Sequence, residues 1–170
     1  MLHGTATFDT TPKTPEERLA WFRDDGQGRY PLIVAEELDS RVRGNDGAGH
    51  PRNAGRGEIA GWTRLYAWSV RCAYARAAEN AVYVHEQHRG KGVGRALLAE
   101  LIRVSQERGI KLLIARVVEG NAGSRALHEA LGFKTIGVMR KVGEKFGRLL
   151  DVRLMDLHLD ESFPLESAPQ

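Results

Sequence analysis

The sequence lacks the features of a disulfide-stabilised, exported or membrane-spanning protein. Its 170 residues contain one cysteine, Cys72, which excludes an intramolecular disulfide framework and suits a reducing compartment. No apolar run approaches the roughly 20 residues that cross a bilayer. The opening residues, MLHGTATFDTTPKTPEE, lack the basic start and apolar stretch of a secretory signal. These absences predict a cytoplasmic protein with no membrane partner.

A strong excess of one charge is also absent. The formal net charge is +3 and aromatic residues make up 7% of the chain. A nucleic-acid-binding protein more often has a larger basic excess along one face, with aromatic residues interleaved. No nucleic-acid partner is therefore expected. The positive charge is local and indicates a compact anion as the ligand.

The length and patterning predict a single domain over residues 1–170. Turn residues and apolar periodicity predict a helix from Thr14-Pro15, strands at 30–38, 59–68 and 78–85, a helix from Val93 to Gly109, a strand at 111–118, a helix within 121–133 and two strands within 134–159. This order predicts an α/β domain (α+β, mixed sheet) around one central sheet. The polar segment at about 39–58 cannot bury enough surface to order itself, and we expect a flexible insertion there.

One stretch of the chain concentrates glycine and positive charge between a strand and a helix. A helix N-terminus presents unpaired amides and a favourable dipole to an anion, and glycines let the backbone approach it closely. This stretch supplies seven candidate anion-binding residues: Arg89, Gly90, Lys91, Gly92, Val93, Gly94 and Arg95.

Two common phosphate-binding loops do not fit this stretch. The dinucleotide motif G-x-G-x-x-G requires a glycine where this chain has Arg95 or Leu97. The nucleoside-triphosphate loop requires serine or threonine after Gly-Lys, and here Gly92 follows. The remaining pattern is R-x-x-G-x-G, written Arg-Gly-Lys-Gly-Val-Gly in this chain.

That pattern resembles the pyrophosphate-binding motif of the GNAT N-acetyltransferase superfamily, which binds acetyl-coenzyme A. The later stretch NAGSRALHEALGF is similar to a second motif of the superfamily, an asparagine at a strand end followed by a helix closing in Gly-Phe. The stretches ENAVYV, SRALHEALGF, GVMR and KFGRLLDV resemble one branch, the phosphinothricin and methionine sulfone or sulfoximine acetyltransferases. The resemblance covers roughly residues 5–160, excepting the insertion.

The resemblance implies the GNAT acyl-CoA N-acyltransferase fold, with acetyl-CoA as co-substrate and a small-molecule amine as acceptor. The superfamily usually has a strand and a helix before the segment that matches TATFDTTPKTPEERLAWF, with which this chain nearly begins. We therefore expect a fold lacking its usual first strand and helix, either through truncation or with a reduced acceptor pocket. Members are often homodimers, so a homodimer is expected as well.

The resemblance also implies roles for individual residues. Glu79 matches the candidate general base, although it could equally be an acid at a strand entrance. The amides of Val82, Tyr83 and Val84 would pair with the pantetheine arm of the cofactor. His128 would protonate the leaving thiolate, or else be a packed, hydrogen-bonded residue. Two further residues would contact the cofactor, namely Asn121 and, more weakly, Ser124. Asn121 is also suited to capping the next helix.

The acceptor side is less well defined. Tyr74 and Arg76 are candidate substrate residues, and a guanidinium there would bind an amino acid's carboxylate. The stretch YARAAE departs from the family, however, because the arginine is displaced by one place and alanines replace Thr-Val. Trp62 and Trp68 could line the pocket, but at strand spacing they are more often core residues.

Other chemistries are weakly supported. Cys72 has no motif around it and is interpreted as a small buried hydrophobic residue. His85 and His88 lie beside a cationic stretch, so no metal site is expected. The preferred hypothesis is acetyl transfer to the amine of a small amino-acid-like compound of the phosphinothricin, methionine sulfone or sulfoximine type, by direct attack. The alternatives are a protein N-terminus, polyamine or aminoglycoside acceptor, or a non-catalytic acyl-CoA-binding module.

Overall fold

The computed structural model describes residues 13–23, 29–37 and 58–159. The helices and strands of these residues, in chain order, are Pro15–Arg23 (α1), Leu32–Glu37 (β1), Glu58–Ala67 (β2), Ala77–Val84 (β3), Val93–Glu107 (α2), Leu112–Val118 (β4), Ala122–Ala130 (α3), Lys134–Lys145 (β5) and Arg148–His158 (β6). The predicted insertion lies outside the described residues, except for Glu58, which begins β2.

The described strands form one sheet in the order β1-β2-β3-β4-β6-β5. Neighbouring strands are antiparallel except β3 and β4, which are parallel. The connection between these two passes through α2, because parallel neighbours cannot be joined by a tight hairpin. The predicted mixed α/β fold around one central sheet is confirmed. β1 and β5 are the edge strands of the described sheet, and α1 is the one described element that precedes β1.

One face of the sheet carries the hydrophobic core. Leu65 of β2, Leu113 of β4 and Met155 of β6 share this face and have no exposed surface. Helix α2 covers them with the stripe that contains Leu98 and Leu101. Burying each such side chain contributes roughly 1.5–3 kcal/mol. At 15 residues, α2 is too short to cross a membrane, and no other described helix is long and apolar enough to do so.

The opposite face carries polar and aromatic side chains, which we call the open face. Trp62, Arg64 and Tyr66 alternate along β2 on this face. Helix α1 lies against them, with the Trp21 ring edge-on to Trp62 at a centroid distance of 5.3 Å. Arg64 donates from Nη1 to the Trp21 carbonyl oxygen at 2.6 Å, and its guanidinium lies 4.5 Å from the centre of the Trp21 ring. This hydrogen bond and cation–π contact hold α1 over the open face.

The start of α1 follows from its sequence. The Thr14 amide donates to a Glu17 carboxylate oxygen at 2.8 Å, and the Glu17 amide donates to Thr14 Oγ1 at 3.2 Å. This reciprocal pair is a capping box, with Pro15 at the first helical position, where no amide hydrogen is needed. The predicted helix start at Thr14-Pro15 is confirmed.

The parallel pairing of β3 with β4 is short. Residues 77–80 pair with residues 112–115, and the pairing then stops although both strands continue. Residues 81–84 still pair with β2 on their other side. The two strands therefore diverge and open a gap in the middle of the sheet, along which backbone groups lack a strand partner.

The expectation that Cys72 is buried was wrong. Cys72 is exposed and lies on a single turn of 3₁₀-helix, Cys72–Tyr74, in the connection between β2 and β3. A connection of this kind runs over the surface, so its short side chains do not reach the core.

Candidate active site

A cleft of about 670 Å³ includes the gap between β3 and β4. Its lining comes from both faces of the sheet and from α1 and α3. From the open face and α1 it includes Arg18, Trp21, Trp62, Tyr66, Glu79, Arg116 and Met139. From the other side of the gap it includes Val117, Asn121, Ser124 and His128. The divergence of two strands thus produces a passage through the sheet rather than a surface groove.

Glu79 places a carboxylate in this passage. It lies on β3 opposite Tyr66 of β2, one residue before the pairing with β4 ends. Its side chain is 17% exposed, and Arg116 of β4 donates from Nε to its Oε1 at 2.6 Å. The carboxylate is therefore ionically paired on one oxygen and lies in the cleft, where it can accept a proton from a bound ligand.

The glycine-rich loop adopts the backbone that an anion site needs. Gly90 and Gly92 have positive φ angles of 73° and 83°, which residues with a Cβ rarely adopt. Gly92 is the N-cap of α2, and no side chain caps the amides of the first turn. A Cβ at either glycine would meet nothing within 4 Å, so open space faces the loop. The amides at the start of this 15-residue helix can therefore reach an anion.

The third glycine of the motif has a different role. A Cβ at Gly94 would lie 3.3 Å from both Leu127 Cδ2 and Val84 Cγ2. Gly94 therefore allows α2 to approach β3 and α3 closely. Arg89 donates from Nε to the Val84 carbonyl oxygen at 3.3 Å, which ties the loop to the end of β3.

The edge of the gap fits an extended amide-containing ligand. Val82, Tyr83 and Val84 continue β3 with no pairing on the β4 side, and the first two line the cleft. The Oδ1 atom of Asn80 is buried without a hydrogen-bond partner among the described residues. Asn121 caps α3 by accepting from the Ser124 amide at 3.1 Å, as the sequence predicts.

His128 is buried in a hydrogen-bonded setting. Its Nδ1 lies 2.7 Å from the Ser124 carbonyl oxygen, which can only accept, so Nδ1 carries the hydrogen. Its Nε2 lies 3.0 Å from Nδ2 of Asn80 and accepts from that amide. Burial lowers the pKa of His128 below its ordinary 6.5, with a smaller opposing effect from the Ser124 hydrogen bond. These contacts match the alternative in which His128 is a packed, hydrogen-bonded residue, and the imidazole is neutral.

The structure does not bring all of the predicted site residues together. Tyr74 lies within the connection that precedes β3, and Arg76 is the last residue of that connection. Both are exposed, and neither lines the cleft. Trp62 lines the cleft and stacks on Tyr83 at 4.4 Å, whereas Trp68 is 38% exposed. Lys91 and Arg95 are exposed beside the glycine loop.

Sequence reasoning missed Arg116, Trp21 and Tyr66. A signal for Arg116 was present, because it is the single charged residue in the otherwise apolar strand LLIARVV. The two aromatic residues carried no comparable signal, since nothing local distinguishes them from core residues.

Comparison with known families identifies the architecture. Residues 9–133, well over half of the chain, match the acetyltransferase (GNAT) family. The chain belongs to the GNAT family. A GNAT relative, the L-methionine sulfoximine/L-methionine sulfone acetyltransferase of Pseudomonas aeruginosa, is 35% identical over 165 residues, which cover 97% of this chain and 84% of the relative.

Solved GNAT structures are similar over almost the whole chain. One is yncA of Salmonella typhimurium with its cofactor acetyl-CoA, at a TM-score of 0.80 and 33% identity, covering 99% of this chain and 85% of that one. Another is a GNAT phosphinothricin acetyltransferase of Sinorhizobium meliloti in complex with acetyl-CoA. Its TM-score is 0.79 and its identity 34%, over 94% of this chain and 77% of that one.

A histidine cluster lies next to the glycine loop. Donor atoms of Glu58, His85 and His88 lie within 4.8 Å of one another. His88 is buried, and its Nδ1 lies 3.8 Å from Glu37, the residue opposite Glu58 on β1. GNAT enzymes need no metal. We interpret the cluster as a contact between the loop and the end of β1–β2, in which imidazole nitrogens lie next to two facing carboxylates.

Proposed function

We propose that this protein transfers the acetyl group of acetyl-CoA to the α-amine of a small amino-acid-like compound. The observation that carries this proposal is the position of Glu79, a carboxylate lining a passage through the sheet at the point where β3 and β4 part. A cofactor bound along the gap and an acceptor on the open face would meet at this carboxylate.

The residues present fit acetyl-CoA along the other side of the passage. The amides at the start of α2, beside Arg89, Lys91 and Arg95, would hold the pyrophosphate. Residues 82–84 would pair through their backbone with the pantetheine arm, with Asn121 and Ser124 as further contacts. When bound, acetyl-CoA supplies an activated acetyl thioester.

The protein's own groups would then carry the proton chemistry. A protonated alkyl amine does not attack a carbonyl, so Glu79 would take a proton from the acceptor amine, directly or through water. A backbone amide of residues 82–84 would donate to the carbonyl oxygen as negative charge develops there, a contribution worth about 3 kcal/mol. Because His128 has no hydrogen on Nε2, we assign it the role of orienting Asn80 at the edge of the gap rather than that of the acid. As the C–N bond forms the C–S bond would break, and the released coenzyme A thiolate would take up a proton from water or the one held by Glu79.

The charges around the acceptor side favour an acidic acceptor. Of the charged residues that line the cleft, Lys13, Arg18 and Arg116 are positive, and Glu79 alone is negative. A polyamine or aminoglycoside site would need the opposite balance. Aromatic rings of Trp21, Trp62 and Tyr66 provide an apolar wall that suits a methylene side chain.

The direct test is release of coenzyme A from acetyl-CoA against a panel of acceptors. The panel contains methionine sulfone, methionine sulfoximine, phosphinothricin, free amino acids, spermidine and a short peptide. We expect turnover with the sulfone-type amino acids and none with spermidine. No turnover with any compound of the panel, together with binding of acetyl-CoA in calorimetry, would identify a non-catalytic binding module. Turnover of the peptide alone would identify an N-terminal acetyltransferase.

We further propose a homodimer in the cytoplasm. The β5–β6 hairpin exposes several large apolar side chains, namely Ile136, Val138, Val142, Phe146 and Leu149. Single exposed apolar residues are ordinary, but a group on one hairpin is typical of a contact surface. The single exposed thiol of Cys72 suits a reducing compartment. Sedimentation of the purified protein would test the oligomeric state.

A further inference from the structure

Arg116 lines the cleft with a positive charge to which the proposed function assigns no contact of its own. It is the fifth residue of β4, lies on the open face and is 53% exposed in its side chain. Its neighbours Ala115 and Val117 belong to the core face and are buried. A strand that served only as part of the sheet would need no cation at this position, which is open to the cleft and to water.

The guanidinium has most of its donors available. Arginine carries five N–H donors, and Nε–H is directed to Glu79 Oε1 at 2.6 Å. Within residues 13–23, 29–37 and 58–159, Glu79 is its one hydrogen-bonded partner. The Nη edge can therefore receive a planar anion in the paired geometry that carboxylates form with arginine.

The Arg116–Glu79 pair is complementary to an α-amino acid. In such an acceptor the ammonium and the carboxylate stand on the same carbon, so a positive and a negative group approach the protein side by side. The protein presents the opposite charges, also side by side, in the same cleft. With the carboxylate on the Nη edge, the amine lies next to Glu79, the group that must take its proton.

We infer that Arg116 is a specificity-determining residue that binds the α-carboxylate of the acceptor and thereby places the α-amine on Glu79. This inference rests on the proposed function and deepens it. It assigns the carboxylate site to β4 rather than to Arg76, which lies outside the cleft. It also sets the acceptor class as α-amino acids, in preference to amines that have the same side chain and no carboxylate.

The test compares methionine sulfone with its decarboxylated analogue, 3-(methylsulfonyl)propylamine. We expect Arg116→Gln to raise KM for methionine sulfone about 10- to 100-fold, the range for losing a charged hydrogen-bonded pair. The amine does not use the Nη edge and is affected only by loss of the Arg116–Glu79 pair, so its kcat/KM should fall by a smaller factor than that for methionine sulfone. Arg116→Lys keeps the charge without the planar edge, and we expect an intermediate KM for the amino acid.

Each other outcome overturns the inference in a distinct way. An equal loss of kcat/KM for both compounds would mean that Arg116 acts only through Glu79. An unchanged KM for methionine sulfone would place the carboxylate elsewhere. A wild-type protein that acetylates neither compound nor any amino acid of the panel would remove the proposed function, and the inference with it. Arg103→Gln, which removes an exposed arginine of α2 paired with Glu100, is the matched control. Unfolding curves of all variants confirm that they are folded.

Discussion

The two faces of the sheet use the same strands for different purposes. On β3 and β4, Ala78 and Ala115 are buried in the core, while their neighbours Glu79 and Arg116 line the cleft. The core face is mainly apolar and is covered by α2 and α3. The open face is aromatic and charged, and α1 is held on it by Arg64. Stability and chemistry are thus separated by the alternation of side chains along a strand rather than by distance along the chain.

This separation predicts that substitutions one residue apart have unrelated consequences. A change at Glu79 or Arg116 on the open face should alter turnover and leave unfolding almost untouched. A change on the core face should do the reverse.

Glu79→Gln should lower kcat/KM by about 100- to 10,000-fold, because the carboxylate that accepts the amine proton is replaced by a neutral amide of the same size. Binding of acetyl-CoA, measured by calorimetry, should be retained. The control Glu129→Gln removes a carboxylate from the exposed side of α3, where it pairs with Arg125 at 3.6 Å, and should leave turnover unchanged. If Glu79→Gln retains full turnover, the base lies elsewhere.

Leu113→Ala should lower the free energy of unfolding by about 2–5 kcal/mol, because Leu113 has no exposed surface and its truncation leaves a cavity. KM for both substrates should not change. Leu19→Ala removes the same atoms from a residue that is 47% exposed on α1, and should cost less than about 0.5 kcal/mol. Urea denaturation of the two variants measures the difference, and similar losses would contradict the assignment of the core face.

Gly92→Ala should weaken acetyl-CoA binding about tenfold, since it forces a strained backbone and adds a methyl group where the amides face the ligand. Gly109→Ala is a matched control, because Gly109 also has a positive φ, of 72°, and open space around it, at the other end of α2. Both variants should lose a similar amount of melting temperature. Equal losses of affinity would show that the glycine loop is a turn and not an anion site.

His128 should make a small contribution to the pH dependence of stability. Because burial lowers its pKa in the folded protein, the unfolded chain takes up a proton first as the pH falls below about 6.5. The stabilisation is therefore complete above that pH and is lost as the pH falls towards the lowered pKa. Between about pH 7.5 and 5.5, His128→Gln should lose less stability than the wild type. Parallel curves for the two proteins would show that His128 does not titrate differently on folding.

The sequence predicted the helices and strands well because their signals are local. The capping box at Thr14, the stripe of α2 and the positive-φ glycines at 90, 92 and 132 all act over a few residues. The glycine loop was found for the same reason. The contact between Glu79 and Arg116 was not found, because it depends on the register between two strands that are separated by a loop and a helix.

The acceptor side was the least predictable part of the site. Tyr74 and Arg76 were selected because they precede Glu79 in the chain, yet the connection before β3 keeps both at the surface. Trp21 contributes from α1, far earlier in the chain, through contacts that only the folded sheet creates. Cys72 was misplaced for a related reason, since burial of a single small residue depends on the course of the whole connection.

The gap between β3 and β4 has a consequence for how this sequence can vary. The groups along its edge belong to the main chain. The binding of a ligand that pairs there therefore depends on the backbone conformation of the strand and not on the identity of its side chains. Residues 82–84 can therefore exchange one strand-forming side chain for another over many generations with little effect on that pairing. Arg116 has no such freedom, because its contribution lies in one guanidinium. The acceptor preference of this protein is thus open to change by a single codon at position 116, whereas the backbone pairing along residues 82–84 does not depend on any one side chain.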